Sequence, residues 1–123
     1  MNKLSNLNIL VVEDDSELRS VLIEIIEFYG AHVYQAANGK EALNSIDQKL
    51  RIDLVLSDVQ MPVMGGIELI KNIKNLDSVR PIVLLLSGQS ELTEESAVGI
   101  GAVGLIHKPY SIKTLVDRIE NLF

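Results

Sequence analysis

Two kinds of segment alternate along the whole chain, and that alternation restricts its fold more than any other feature. Short apolar runs fall at residues 9–12, 33–36, 54–57, 82–86 and 103–106. Between them, apolar side chains recur at three- and four-residue spacing: Leu18, Val21, Leu22 and Ile25; Ala42, Leu43 and Ile46; Ile67, Ile70 and Ile73; Ile112, Leu115, Val116 and Ile119. The first pattern predicts strands and the second amphipathic helices. The runs at 54–57 and 82–86 lack polar alternation, as parallel strands covered on both faces do. Repetition of this kind predicts a three-layer α/β fold around a central parallel sheet.

The boundary residues agree with this division. Gly30 is placed to stop the first helix, and Asn38 and Ser111 to cap the second and the last. The segment 90–101, SELTEESAVGIG, predicts the weakest helix, because Thr93, Ser96 and Gly99 are poor helix formers and apolar anchors are few. Local mobility is expected there.

With 123 residues, 47% of them hydrophobic, the chain can bury a core as a single domain spanning residues 1–123. It contains no cysteine, which excludes disulfide frameworks, thiol catalysis and cysteine-type zinc sites. The apolar runs fall far short of the roughly 20 residues that span a bilayer. Nor does the N-terminal MNKLSNLN resemble a secretory leader. A cytoplasmic location without membrane insertion is therefore expected. The net charge of −6 argues against direct binding to nucleic acid, which calls for a basic face.

In open α/β sheets ligands bind at the carboxyl ends of the strands, so the residues at those ends carry the functional reading. The first predicted strand ends on Glu13, Asp14 and Asp15, the third on Asp58, the fourth on Ser87 and Gly88, and the fifth on His107 and Lys108, followed by Pro109. Two carboxylates about 4 Å apart repel by about 4 kcal/mol at an effective dielectric near 20. Such a cluster calls for a cation, and oxygen-only ligands suit a hard divalent ion, Mg²⁺ above all. Lys108 can neutralise Asp58 and later contact an added phosphoryl group. Each residue also has a plainer reading. Asp15 with Ser16 is read as helix-capping chemistry, and Glu13 with Asp14 fits either a cap or a ligand pair. Asp58 and Ser87-Gly88, taken singly, suit ordinary turns. His32 and His107 have no second histidine or cysteine nearby; His32 is read as solvated, and His107 as pointing away from Lys108 by strand alternation. The signal is the combination of acids, a hydroxyl and a lysine on one rim.

Four stretches, ILVVEDDSELR, DVQMPVMGG, LLLSG and HKPY, occur in the order and spacing of a known family. Over roughly residues 8–122 the chain resembles the receiver domains of two-component response regulators, including the stand-alone chemotaxis type. The resemblance implies a flavodoxin-like (βα)5 sandwich with a parallel sheet of order 2-1-3-4-5. It implies Mg²⁺-dependent transfer of a phosphoryl group to Asp58 from a sensor histidine kinase or histidine phosphotransfer protein. Carried over residue by residue, the metal ligands are Glu13 (through water), Asp14, Asp58 and the main-chain carbonyl of Gln60. Asp58 is also the nucleophile, and Ser87 and Lys108 grip the phosphoryl oxygens, helped by backbone amides near Val59 and Gly88. Such a domain catalyses only its own phosphorylation and slow dephosphorylation, and it switches binding to a downstream protein or an output domain.

The chain departs from the family pattern at a few positions. Leu105 stands where an aromatic residue is expected, three before the lysine, so the switch is expected to move the backbone from Ser87 to Gly101 while Leu105 repacks. Gly65 replaces a common Asp, which predicts a looser loop before the third helix. Gln60 and Gln89 occupy the positions that set the lifetime of the phosphoryl group, and an unremarkable lifetime is expected. The Lys108–Pro109 peptide is implied to be cis. Because the sequence ends at Phe123, just after the last predicted helix, it is read as a stand-alone regulator or a domain of a longer one. If it stands alone, its output surface is expected on the fourth helix, fifth strand and fifth helix. Two other readings compete: an aspartate-based phosphatase of the haloacid dehalogenase type, which would need a second acid where Gln60 stands, and a docking module that has lost phosphorylation.

Overall fold

The computed structural model describes residues 2–47, 51–77, 81–88 and 92–123. In chain order the elements are β1 (Asn8–Val12), α1 (Ser16–Phe28), β2 (His32–Ala36), α2 (Gly39–Asp47), β3 (Leu54–Asp58), α3 (Gly66–Leu76), β4 (Ile82–Ser87), α4 (Glu94–Ile100), β5 (Gly104–His107) and α5 (Ile112–Asn121). The strands pair in parallel in the order β2-β1-β3-β4-β5, the flavodoxin-like arrangement expected from the sequence.

The missing polar alternation in the central strands follows from having a core on each face. Leu10, Val12, Val55, Val83, Leu85 and Leu105 point to one side, where they pack with Ala42 of α2, Leu69, Ile70 and Ile73 of α3, and Ala97 of α4. Their neighbours Ile9, Val11, Leu54, Leu56, Leu84, Leu86 and Ile106 point to the other, against Leu22 and Ile26 of α1 and Leu115 and Ile119 of α5. Successive strand residues alternate between the two cores, so the central strands are apolar on both faces until their carboxyl ends. The edge strand β2 is exposed at His32, Tyr34 and Gln35, and β5, at the other edge, at its last residue His107.

Caps fix the helix starts close to the expected places. Asp15 accepts from the amides of Glu17 and Leu18 at the head of α1, Asn38 from Glu41 in α2, and Ser111 from Thr114 in α5. Gly30, just past α1, has a φ of 103°. The helix expected over 90–101 is shorter: α4 begins at Glu94, and residues 89–91 lie outside the described residues. Thr93, a poor interior residue, is instead its N-cap and forms a reciprocal capping box with Ser96.

Candidate functional site

The strand order reverses at β1, which has β2 on one side and β3 on the other. The helices that follow β1 and β3 lie on opposite faces of the sheet, so the loops leaving these two strands diverge and open a crevice at their carboxyl ends. Glu13 is the first residue beyond β1. Its amide donates to Ala36 O at 3.1 Å, which carries the β1–β2 ladder one step further, and its side chain is buried. Asp14 follows it at the exposed rim. Asp58 is the last residue of β3 and is half-buried. One carboxylate oxygen from each of Glu13, Asp14 and Asp58 lies within 4.8 Å of the other two.

Lys108, just past β5, enters this group from the far side. Its ammonium donates to Asp58 Oδ2 at 3.1 Å and to Glu13 Oε1 at 3.4 Å. The other Asp58 oxygen, Oδ1, accepts from the Val59 amide at 2.9 Å, while that amide also reaches Leu86 O at 3.0 Å. Ser87, buried at the end of β4, lines a hollow of about 290 Å³ together with Asp58, Val59, Gln60, Gly88 and Lys108. A second, more open concavity of about 490 Å³ lies over Asp14, Val59, Gln60, Met61 and Pro62. Val59 and Gln60 line both spaces. The main-chain amide of Lys108 donates to Ser87 O at 2.8 Å and ties the ends of β4 and β5 together.

The electrostatics follow from this crowding. Burial pushes the Glu13 carboxyl up from 4.5 to about 7; the charge of Asp58 and a hydrogen bond with Asp14 push the same way, against the Asp15 amide and Lys108. For Lys108, burial works against the charged form, but the hydrogen bond and charge of Asp58, followed by those of Glu13, outweigh it and hold the group above its ordinary value. Three oxygen-only side chains on a radius of a few ångströms, one of them reluctant to ionise, make a donor set that fits a hard divalent cation. Such an ion relieves the repulsion that a single lysine offsets only in part.

Of the side chains at the strand ends, Glu13, Asp14, Asp58, Ser87 and Lys108 meet here. Asp15 is the cap of α1, and its amide also donates to Glu13 Oε2 at 3.2 Å. His32 and His107 are exposed. The Lys108–Pro109 peptide is cis. Gly65 behaves differently from the expected loosening. A Cβ there would lie 2.7 Å from Val59 O, the oxygen that accepts the Gly66 amide at 2.9 Å, so the glycine allows a close approach and the loop is tightly seated. One contact had no sequence signal: Arg19 of α1 donates to the main-chain carbonyl of Glu13 at 2.7 Å. Nothing in the spacing of residues 13 and 19 distinguishes this from a solvent-facing arginine.

A parallel sheet of this order with an acid–lysine cluster at its switch point defines a class of phosphoacceptor signalling domains. The chain belongs to the response regulator receiver domain family, whose profile matches residues 9–120. It is 35% identical over 118 residues to sporulation initiation phosphotransferase F of Bacillus subtilis, covering 95% of this chain and 94% of that protein. It is 38% identical over 112 residues to the transcriptional regulatory protein CpxR of Escherichia coli, covering 91% of this chain but 47% of that protein. The chain thus spans about half the length of this second relative. Among solved structures, CheY of Borrelia burgdorferi, determined in a CheX-CheY-BeF3-Mg²⁺ complex, superposes with a TM-score of 0.87 at 28% identity, over 97% of this chain and 90% of that one.

Proposed function

We propose that Asp58 accepts a phosphoryl group from a phosphohistidine, carried by a sensor histidine kinase or a histidine phosphotransfer protein, and that the resulting acyl phosphate switches the binding of a downstream protein or output domain. The observation that carries this reading is the pairing of the two Asp58 oxygens: one is held by Lys108 at 3.1 Å and the other by the Val59 amide at 2.9 Å. The two contacts orient the carboxylate nucleophile, so no general base is needed to align it.

In the transfer, an Asp58 oxygen forms a bond to phosphorus as the P–N bond of the donor breaks. The bonding pair leaves with the imidazole nitrogen, which departs neutral when its other ring nitrogen is protonated. The phosphoryl group occupies the 290 Å³ hollow, where Lys108 transfers its ammonium from the Asp58 carboxylate to a phosphoryl oxygen and the Ser87 hydroxyl donates to another. Glu13, Asp14, Asp58 and the main-chain carbonyl of Gln60 would hold Mg²⁺, Glu13 through water, and the ion when bound would supply positive charge against the phosphoryl oxygens. Slow hydrolysis of the acyl phosphate by the same site resets the domain.

Residues 1–123 act as one receiver unit in this reading. The name of the B. subtilis relative supports phosphotransfer, and that of the E. coli relative supports coupling to an output domain. An acidic chain, with no helix among the described residues long and apolar enough to cross a membrane, is in keeping with a cytoplasmic partner-binding role. Leu105 is 3% exposed and lies in the same core as Ala97 and Ala102. The switch then runs through the backbone between Ser87 and Gly101 and repacking of Leu105, presented on the α4–β5–α5 face.

Beryllofluoride with Mg²⁺ tests the reading directly. Amide resonances of Val59, Gly88 and α4 should shift in the wild-type chain and stay fixed in Asp58→Asn. Unchanged spectra in the wild type would favour a docking module that has lost phosphorylation.

A further inference from the structure

Arg19 is the one charged side chain of α1 that turns back over the β1–α1 turn. Its Nη1 donates to the Glu13 carbonyl at 2.7 Å, and its Nε donates to Gln35 Oε1 at 2.9 Å, near the end of β2. The sheet ladder does not cover that carbonyl, because β1–β3 pairing stops at Val12 with Ser57, and on the β2 side it is the Glu13 amide that bonds, to Ala36 O. The Glu13 carbonyl and the Asp14 amide belong to one planar peptide unit. Whatever fixes this carbonyl also fixes the plane from which both acidic side chains depart.

These two side chains and Asp58 repel one another as carboxylates, and the turn helps to hold them within 4.8 Å. Lys108 draws in Glu13 and Asp58 through their side chains, but among the described residues no hydrogen bond or ion pair from a cation reaches Asp14. The Asp14 carboxylate is held at the cluster by its backbone and by its hydrogen bond with Glu13, with no cation drawing it in. A charge-assisted bond of 2.7 Å, from a guanidinium itself held by Gln35, supplies the backbone constraint.

We infer that Arg19 is a positioning residue for divalent-cation binding: by locking the Glu13–Asp14 peptide it sets the spacing of the Glu13, Asp14 and Asp58 carboxylates. The inference rests on the metal-dependent reading of the site proposed above. The plainer alternative is that Arg19 only ties α1 to β2, in which case its removal lowers stability and leaves cation affinity alone.

Titrating Mg²⁺ into the wild type, Arg19→Ala, Arg19→Lys and Gln35→Ala, and following the amide resonances of Asp14 and Val59, separates the two. Partners that orient metal ligands typically change affinity about 10- to 100-fold when removed. Arg19→Ala should lose about 10-fold in Mg²⁺ affinity, near the lower end of that range. Arg19→Lys keeps a charged donor for the carbonyl and should recover most of the loss, while Gln35→Ala should fall between. At saturating Mg²⁺, the rate of phosphorylation of Arg19→Ala by a small phosphoramidate should return to the wild-type value. An Arg19→Ala affinity within about 2-fold of wild type, alongside a lowered metal-free unfolding midpoint, would overturn the inference and leave the proposed function standing. If Arg19→Ala does not fold, equal affinities of Arg19→Lys, Gln35→Ala and wild type would overturn it in the same way. A wild-type chain whose resonances ignore Mg²⁺ would overturn both.

Discussion

Val63 is a β-branched residue held at a φ of 69°, in a tight turn closed by a 2.7 Å bond from the Met64 amide to Pro62 O. Left-handed backbone costs an ordinary L residue about 1–2 kcal/mol, and Asn tolerates it best among non-glycine residues. With 74% of Val63 exposed, little packing is lost on replacement. Val63→Asn should therefore stabilise the chain by about 1 kcal/mol, read as a raised urea midpoint at constant slope. Glu13 makes the second prediction at this scale. In the metal-free chain its folded-state pKa of about 7 exceeds the ordinary 4.5, so the folded state keeps a proton that the unfolded state gives up in between. The stabilisation from that proton is complete below about pH 4.5 and is lost as pH rises through about 7. Urea midpoints measured with chelator across this window should fall in the wild type and fall less in Glu13→Gln. Parallel curves for the two proteins would show that the proton is held elsewhere. At this scale the sequence indicated which acids gather at the strand ends and not their titration, because burial depends on where β1 ends in the sheet.

Two α4 contacts make predictions at the scale of the element. This seven-residue helix has one buried residue, Ala97, so its ends carry much of its stability. Thr93→Ala should destabilise the domain by about 1 kcal/mol, the usual loss for an N-cap, with hydrogen-exchange protection falling first in α4. On its outer side, Glu94 pairs with Arg118 of α5 directly over Gly104. A Cβ at Gly104 would collide with the Arg118 guanidinium and lie 2.8 Å from Glu94 Oε1. Gly104→Ala should therefore displace the pair and uncouple α4 from α5. Salt should lower the stability of the wild type more than that of the alanine variant. The alternation of strands and helices was legible because period and composition survive in any context. The start of α4 was not, because the Thr93 side chain can weaken a helix interior or cap its end, and only the position of the turn decides which. Gly65 was misjudged for a related reason: a glycine reads as freedom in a sequence but here permits a close approach to Val59 O.

For the whole molecule, the two-sided core explains why the fold was legible almost completely while the site was legible only as a set. Chain-wide hydrophobic pattern dictates a parallel sheet, the crossovers put every strand end on one rim, and the acids, Ser87 and Lys108 meet there as a result. The Arg19 brace and the sharing of the Val59 amide depend on ångström-scale register that no pattern carries. Asp58→Asn should abolish labelling by a small phosphoramidate while leaving the fold intact, checked by an unchanged far-ultraviolet circular dichroism spectrum. The Val59 amide is held by Leu86 O as well as by Asp58 Oδ1. When Asp58 becomes an acyl phosphate, the strand beneath it keeps its anchor, so protection of the Val59 amide against deuterium should be the same before and after. The end of β3 is then a fixed platform for the mark, and the movement that reports it belongs to the neighbouring end of β4 and to α4.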